Sequence, residues 1–386
     1  MKRLITLLGA GCLSALPTLA AAEPKTDDPY HLQPSPNSTQ DTAGEPFTDK
    51  FSPQAAAAYL DSRAHLVEKN CFACHSTFTY LPGRSVIDPL AAGAMETRVL
   101  LERFTAKCLD KTQLPQVKTS HVNQVRILAA LELARHDAVT TGRLQPLTRQ
   151  ALDHIWTLQL ADGSVKWIHV GEAPQAVDDY WPVGMIALGV GRAPENYAQT
   201  DMAKAGLEKL RGWLRAHPPK NSHERGLTLI AQSAIGGLLS DEERRQHIEK
   251  LFASQHEDGG WSLAGLAPWQ RPDKQPLDVV HSDGYGTAFT AYVLALSGIA
   301  PSEPRLHRAI EWLKKNQRRS GGWFTPSPFK RDKIISNTAT SFAVQALALC
   351  GEIQPRTVSA EEFAVAHAAA EKSVPPNVYL ATDPDR

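Results

Sequence analysis

Gln255-His256-Glu257-Asp258-Gly259-Gly260-Trp261 and Gln317-Arg318-Arg319-Ser320-Gly321-Gly322-Trp323 both read Q-x-x-x-G-G-W, and this repeat decides the fold. Gln159-Leu160-Ala161-Asp162-Gly163-Ser164, followed by Trp167, is a looser third copy. Each copy follows a half-polar helical stretch; in Leu306–Leu313 the apolar residues recur three and four apart. A more uniformly apolar helix comes after the loop: Gly286 to Leu296 with Gly298 as its stop, and Thr340 to Cys350 followed by Gly351. A half-polar helix belongs on the outside of a domain and an all-apolar one inside.

Extending this alternation along the chain predicts outer helices near 54–69, 96–111, 143–160, 199–217, 241–255 and 303–317. Their inner partners are expected near 80–93, 120–136, 179–190, 222–238, 282–298 and 336–350. Such outer–inner pairs, at a period of roughly 50 residues, form a solenoid-like repeat. No pair buries its apolar face alone, and closing the array into a ring removes its exposed ends. The expected fold is all-α, an (α/α)6 toroid over residues 51–352.

The Gln/Gly/Trp turns resemble the QW repeat of the squalene-cyclase and prenyltransferase superfamily. Ser282-Asp283-Gly284-Tyr285-Gly286-Thr287-Ala288 and Ser336-Asn337-Thr338-Ala339-Thr340 are similar to its inner-helix starts. The whole looks closest to exported squalene-cyclase-like proteins carrying a haem motif of the form C-x-x-C-H-[ST]-T. The resemblance covers about residues 54–351 and is specific for fold rather than reaction. Squalene-hopene cyclases use the middle Asp of D-x-D-D as acid. The nearest match here, Ala176-Val177-Asp178-Asp179, has Ala in place of the first Asp. The zinc trio of protein prenyltransferases has no counterpart at matching places.

Cys71-Phe72-Ala73-Cys74-His75 reads C-x-x-C-H, the spacing at which two thiols take up one haem and the next imidazole ligates its iron. A bare C-x-x-C also serves as a redox pair or half a zinc site, but a zinc site wants a second Cys/His pair at comparable spacing. The adjacent His favours one covalent haem c, held by Cys71 and Cys74 with His75 on the iron. Alignment of the pairs puts this motif in the first outer–inner turn, at the mouth shared by the inner-helix N-termini. An export signal at 1–22 agrees with it: Lys2-Arg3, then Leu4 to Leu19, then Ala20-Ala21-Ala22. The expected location is the periplasm, with no transmembrane segment.

Residues 23–50 are polar and Pro-rich and are expected to form a flexible leader. Residues 353–386 are read as a strap over the ring, its helix opened by the capping box Ser359–Glu362. The balance of 41 basic and 41 acidic residues argues against nucleic acid and anionic membrane surfaces. Cys108 and Cys350 either remain buried as small apolar residues or pair with each other.

The same mouth is expected to carry Asp178, Asp179, Tyr180, Trp181, His223, His281, Asp283 and Tyr285 as catalytic or cavity candidates. Ser222, Ser282 and Ser336 read as N-caps, and the acids also suit first helical turns. Tyr180, Trp181 and Tyr285 are placed to offer π-faces to an apolar guest. His121 begins the inner helix next to the haem-bearing pair. It is the first choice for a second axial ligand; His169, His281 and an open site are the alternatives. His136, His217, His247 and His307 read as solvated.

These residues predict a periplasmic monohaem c-type cytochrome with a cyclase-like cavity, acting in electron transfer or oxidation of a hydrophobic substrate. Its partners would be a hydrophobic or terpenoid small molecule and a redox protein. The alternatives are a non-redox terpenoid cyclase or lyase with Asp178 as acid, and a redox-responsive binding module.

Overall fold

The computed structural model describes residues 41–64, 78–110, 119–169, 171, 173–328 and 332–375. Its outer and inner helices alternate in chain order. They are α1 (Pro53–Asp61) and α2 (Phe78–Ile87), α3 (Ala92–Leu109) and α4 (Thr119–Val139), and α5 (Pro146–Leu158) and α6 (Tyr180–Gly191). Next come α7 (Asp201–Ala216) and α8 (Ser222–Ile235), then α9 (Asp241–Phe252), the one-turn α10 (Leu263–Leu266) and α11 (Gly284–Leu296). The last pair is α12 (Pro304–Lys315) and α13 (Asp332–Leu349), followed by α14 (Ala360–Ser373). Among the described residues, extended pairing is limited to two isolated bridges, Phe47 with Arg318 and Gln159 with Val165.

Apolar spacing explains the two layers. On α12 only Leu306, Ala309, Ile310, Trp312 and Leu313 are buried, a single stripe facing inward. On α11 every residue from Gly284 to Leu294 is buried, as an inner helix requires. The inner helices pack in ring order, α2 on α4, α4 on α6, α6 on α8, α8 on α11 and α11 on α13, and α13 returns to α2.

The repeated turn explains how the outer layer is fastened. Gln255 Nε2 donates to Gly259 O in its own turn (2.7 Å) and to Arg305 O on the next outer helix (2.8 Å). Gln159 makes the same pair of bonds, to Gly163 O (3.0 Å) and Gly206 O (2.9 Å). Gln317 donates to Gly321 O (2.9 Å) and reaches Ser52 O (2.9 Å), just ahead of the first outer helix. The last repeat therefore grips the first, and the ring closes by the contact that spaces its other members. Gly321 has φ +98°, and a Cβ there would lie 2.0 Å from Ala55 O, so both backbone and packing demand glycine. The turn tryptophans are structural: Trp261 and Trp323 donate to Leu251 O (2.9 Å) and Leu313 O (2.8 Å) on the helices they follow.

Several local expectations are corrected. The first outer helix ends at Asp61 rather than near 69. Asn221 caps α8 in place of Ser222, and Asp283 caps α11 in place of Ser282, because the side-chain oxygen of each accepts from the amide three residues on, Glu224 N and Gly286 N. Ser336 lies inside α13, which begins four residues earlier. The capping box at Ser359 and Glu362 is formed, and α14 packs on α3, where Arg103 holds the carbonyls of Glu371, Val374 and Pro375. Cys108 and Cys350 are both free thiols. Among the described residues, no helix is long and apolar enough to cross a membrane.

Candidate functional site

At the mouth formed by the inner-helix N-termini, three of the expected residues come together as an aromatic plug. His223 is fully buried, lies flat against Trp181 (ring centroids 6.0 Å apart, planes 1° apart) and approaches Tyr285 Oη at 3.0 Å through Nε2. Phe289 and Phe342 complete the packing around Tyr285. Desolvation drives His223 down to about 3, so its imidazole is neutral.

The other expected residues are dispersed. Asp178 Oδ1 accepts from the amides of Tyr180 (2.9 Å) and Trp181 (3.4 Å) and so helps start α6; burial raises its carboxyl. Asp179 pairs with His169 at 3.0 Å on the surface, and His281 is solvent-exposed beside Asp278 at 2.8 Å. Tyr180 points at Trp213 and donates to His217 O. Burial raises Asp283 to about 7, yet its two oxygens accept from Gly286 N (2.9 Å) and Leu263 N (2.5 Å), which makes it a structural cap. Cys71, Cys74 and His75 lie outside the described residues, as do residues 1–22, and the side chain of His121 is not among those described.

The larger cavity opens at the opposite mouth, between the C-terminal halves of the inner helices. Its outer lobe, about 550 Å³, is walled mainly by apolar side chains, among them Leu81, Val86, Leu188, Leu296 and Ala348. A second lobe of about 40 Å³ lies deeper, against Trp181 and Phe342. Both lobes share Pro82, Glu132, Arg135 and Gln345. Arg135 bonds Gln345 Oε1 from α4 to α13 and stands 3.5 Å from Glu132 Oε1, so a polar belt divides an apolar channel.

Glu132 is the chemically distinctive member of that belt. It is 5% exposed, and its Oε2 has no hydrogen-bond partner among the described residues. Burial raises its carboxyl to about 7, only partly offset by Arg135, so near neutral pH a substantial fraction keeps the proton that most glutamates have lost. A perturbed acid at the waist of the larger cavity is the pattern expected of a functional group.

His136, also in the cavity wall, corrects the surface reading given to it. It is 1% exposed, receives Arg98 Nη1 at Nδ1 (3.0 Å) and faces Pro89 O through Nε2 (2.9 Å), which assigns the Nε2–H tautomer. Desolvation first, then the Arg98 charge, press it down to about 3. Behind it, fully buried Arg98 pairs with Asp137 (2.7 Å) and Glu102 (2.9 Å), and His367 on α14 meets Glu102 at 2.6 Å.

Sequence reasoning missed Glu132, Arg135 and Gln345 because it looked to the other mouth. Their signal was present: Gln124, Leu128, Glu132 and Arg135 fall four, four and three apart on one face of a helix that should be apolar all round.

No protein-family profile and no curated protein matches this chain. Solved structures do resemble it. A wild-type glycosidase aligns at TM-score 0.48 and 11% identity, over 78% of this chain and 97% of its own. A variant glycosidase in complex with glucose gives 0.45 with the same identity and coverage. A possible GH105-family member from Klebsiella pneumoniae subsp. pneumoniae gives 0.32 at 12% identity, over 77% of this chain and 81% of its own. No residue, substrate or mechanism passes from these proteins to this chain.

The functional expectation is corrected at the site. The chain is an all-helical toroid, and at the expected mouth the candidates form a packed plug and helix caps rather than a substrate cavity. Among the described residues, no group of three or more His, Cys, Asp or Glu is arranged to hold a metal ion. The cytochrome reading, with electron transfer or substrate oxidation, is set aside. So are the cyclase or lyase alternative, whose Asp178 is engaged in starting α6, and the redox-responsive module.

Proposed function

We propose that the toroid encloses one small, largely apolar molecule in the cavity between the inner-helix C-termini, with Glu132 as the group that meets its polar end. The observation that carries this reading is the juxtaposition of an apolar lobe of about 550 Å³ with a buried carboxyl, raised to about 7, whose Oε2 has no partner among the described residues. An acid kept neutral by burial can donate a hydrogen bond or a proton, the roles for which carboxyl groups are raised toward neutrality.

Glycoside hydrolysis of the usual kind needs two carboxylates flanking the bond. Glu132 is the sole carboxylate among the described residues lining the two lobes, so binding is the better-supported role and general-acid chemistry the secondary one. Nitrophenyl glycosides, which join an apolar aryl group to a sugar, are the substrates to assay for that second role.

Titration with the neutral dye N-phenylnaphthylamine tests the binding reading. One equivalent should bind, and Ala348→Trp, which extends an indole into the outer lobe from its rim, should abolish binding without lowering the melting temperature. Equal binding by both proteins would remove the cavity from the account.

Covalent haem at Cys71 and Cys74 and export to the periplasm rest on sequence alone and stand as separate proposals. Haem that stays with the denatured polypeptide in a peroxidase-stained gel, and is lost in Cys71→Ala, supports attachment; an unstained band from a maturation-competent strain refutes it. Fractionation of the expressing cells decides the location.

A further inference from the structure

The charged groups facing the cavity are unbalanced. Arg135 and Arg192 line the outer lobe against one carboxyl, Glu132, and Arg135 and Glu132 line the deeper lobe as well. His136, also in this wall, is neutral with both ring nitrogens engaged. Arg192 caps the C-terminal end of α6, is exposed and makes no ion pair among the described residues. Arg135 stands 3.5 Å from Glu132 Oε1 and donates to Gln345 Oε1, which leaves three of the five N–H donors of its guanidinium unused among the described residues.

Hydrogen-bond donors are in excess too. Tyr292, 4% exposed in the wall of the outer lobe, makes no hydrogen bond among the described residues. Burial raises its phenol, so the hydroxyl keeps its proton, and the charges of Arg135, Arg192 and Glu132 all reach it. Gln345 is spent, its Oε1 on Arg135 and its Nε2 on Ser341. Glu132 turns Oε1 to Arg135, so its proton belongs on the unpartnered Oε2, as one more donor. An ammonium would add donors and a third cation to this wall. A hydroxyl can accept, but it leaves both guanidinium charges uncompensated beside apolar side chains. A carboxylate only accepts, at about four lone-pair sites, and supplies a negative charge. A phosphate monoester would bring up to about two charges to a waist that holds one guanidinium.

We infer that the cavity binds a monocarboxylic acid with an apolar body, its carboxylate on the guanidinium of Arg135 at the waist and accepting from Glu132, its hydrocarbon among Leu81, Leu188 and Leu296. The inference rests on the small-molecule reading above and deepens it by naming the ligand class. Arg135 and Glu132 meet across one turn of α4, so a single carboxylate reaches both. Gln124, two turns and about 12 Å along the helix from Glu132, takes no part. With ligand bound, two carboxyl groups share one guanidinium, and like charges so close do not both ionise. Glu132 therefore keeps its proton in the complex, and binding takes one up wherever free Glu132 has lost it.

Calorimetric titration of the full chain at pH 6 with decanoate, decanol, decylammonium and decyl phosphate, alongside N-phenylnaphthylamine, tests this. Decanoate should bind at least about tenfold more tightly than decanol or decylammonium, the worth of one charge-assisted hydrogen bond, and more tightly than decyl phosphate. Its affinity should fall about tenfold between pH 6 and pH 8, as the protonated fraction of a group titrating near 7 does. Glu132→Gln, which keeps a donor without the titration, should flatten that profile. Arg135→Met, its fold checked by circular dichroism, should erase the advantage of decanoate over decanol; if that variant does not fold, the wild-type pH profile still decides. Equal or tighter binding of another amphiphile overturns the carboxylate inference and leaves the cavity reading standing. So does a flat wild-type profile, a slope that survives in Glu132→Gln, or an undiminished preference in folded Arg135→Met. Dye binding with no response to any of the four amphiphiles also overturns the inference alone. Absence of binding by all five probes overturns both readings.

Discussion

Replacing Gln317 by alanine should open the ring at its closure. The amide makes three bonds there: Nε2 to Ser52 O and Gly321 O, each 2.9 Å, and Oε1 from Ser52 N at 2.8 Å. Gln317 is fully buried, so truncation strands Gly321 O in the interior, while half-buried Ser52 regains water in part. At about 1 kcal/mol for each lost bond, with more for the buried carbonyl, the cost comes to about 3–4 kcal/mol. Each kcal/mol lowers the melting temperature of a large domain by about 2–4 °C, which makes the expected drop roughly 6–16 °C. Thermal and urea melts followed by far-ultraviolet circular dichroism measure it. Gln255→Ala supplies the comparison within the ring, because Gln255 bonds Gly259 O, Arg305 O and the Arg308 guanidinium in the equivalent turn. The two losses should agree within about 1 kcal/mol, the scatter of hydrogen-bond measurements. A Gln317→Ala protein that melts with the wild type while Gln255→Ala does not would refute closure by this contact.

Gly321→Ala should cost more than Gly321's lost flexibility alone, at least about 3 kcal/mol, because φ +98° is strained for alanine and the new Cβ meets Ala55 O at 2.0 Å; a urea midpoint within error of wild type would contradict this. Glu132 has a carboxyl raised from 4.5 to about 7, so the folded state binds the extra proton. That contribution to stability is complete below pH 4.5 and is lost as pH rises through about 7, a slope Glu132→Gln should flatten in melts recorded across that window. His367 is raised, first by its hydrogen bond to Glu102, so its hold on α14 is complete below its ordinary value of 6.5 and weakens as pH climbs through the higher folded one. Hydrogen exchange corrected for intrinsic rates should show protection of 360–373 falling in that direction, and His367→Ala should remove the dependence.

The architecture was legible because two periodicities coincide with two environments. Striped helices such as α12 and uniformly apolar ones such as α11 can sit only outside and inside, and the Gln and Gly of each turn have no other physical use than the contact they make. The plug of Trp181, His223 and Tyr285 was foreseeable as a cluster, since inner-helix starts share one mouth. The side of the ring that holds the larger cavity was not. Whether a channel is filled or empty depends on side-chain volumes meeting across six helices, and no single helix records that sum. His136 shows the same limit: a helix-end position reads as solvated, yet α14 and the Arg98 cluster arrive from distant sequence to bury it.

A crystal structure of the protein grown with N-phenylnaphthylamine tests the central claim most directly. The account predicts continuous density in the outer lobe beside Leu188 and Leu296, with the amine of the dye turned toward Glu132. Density confined to the opposite mouth beside Trp181 and His223, or a cavity holding only solvent at a saturating dye concentration, would contradict it.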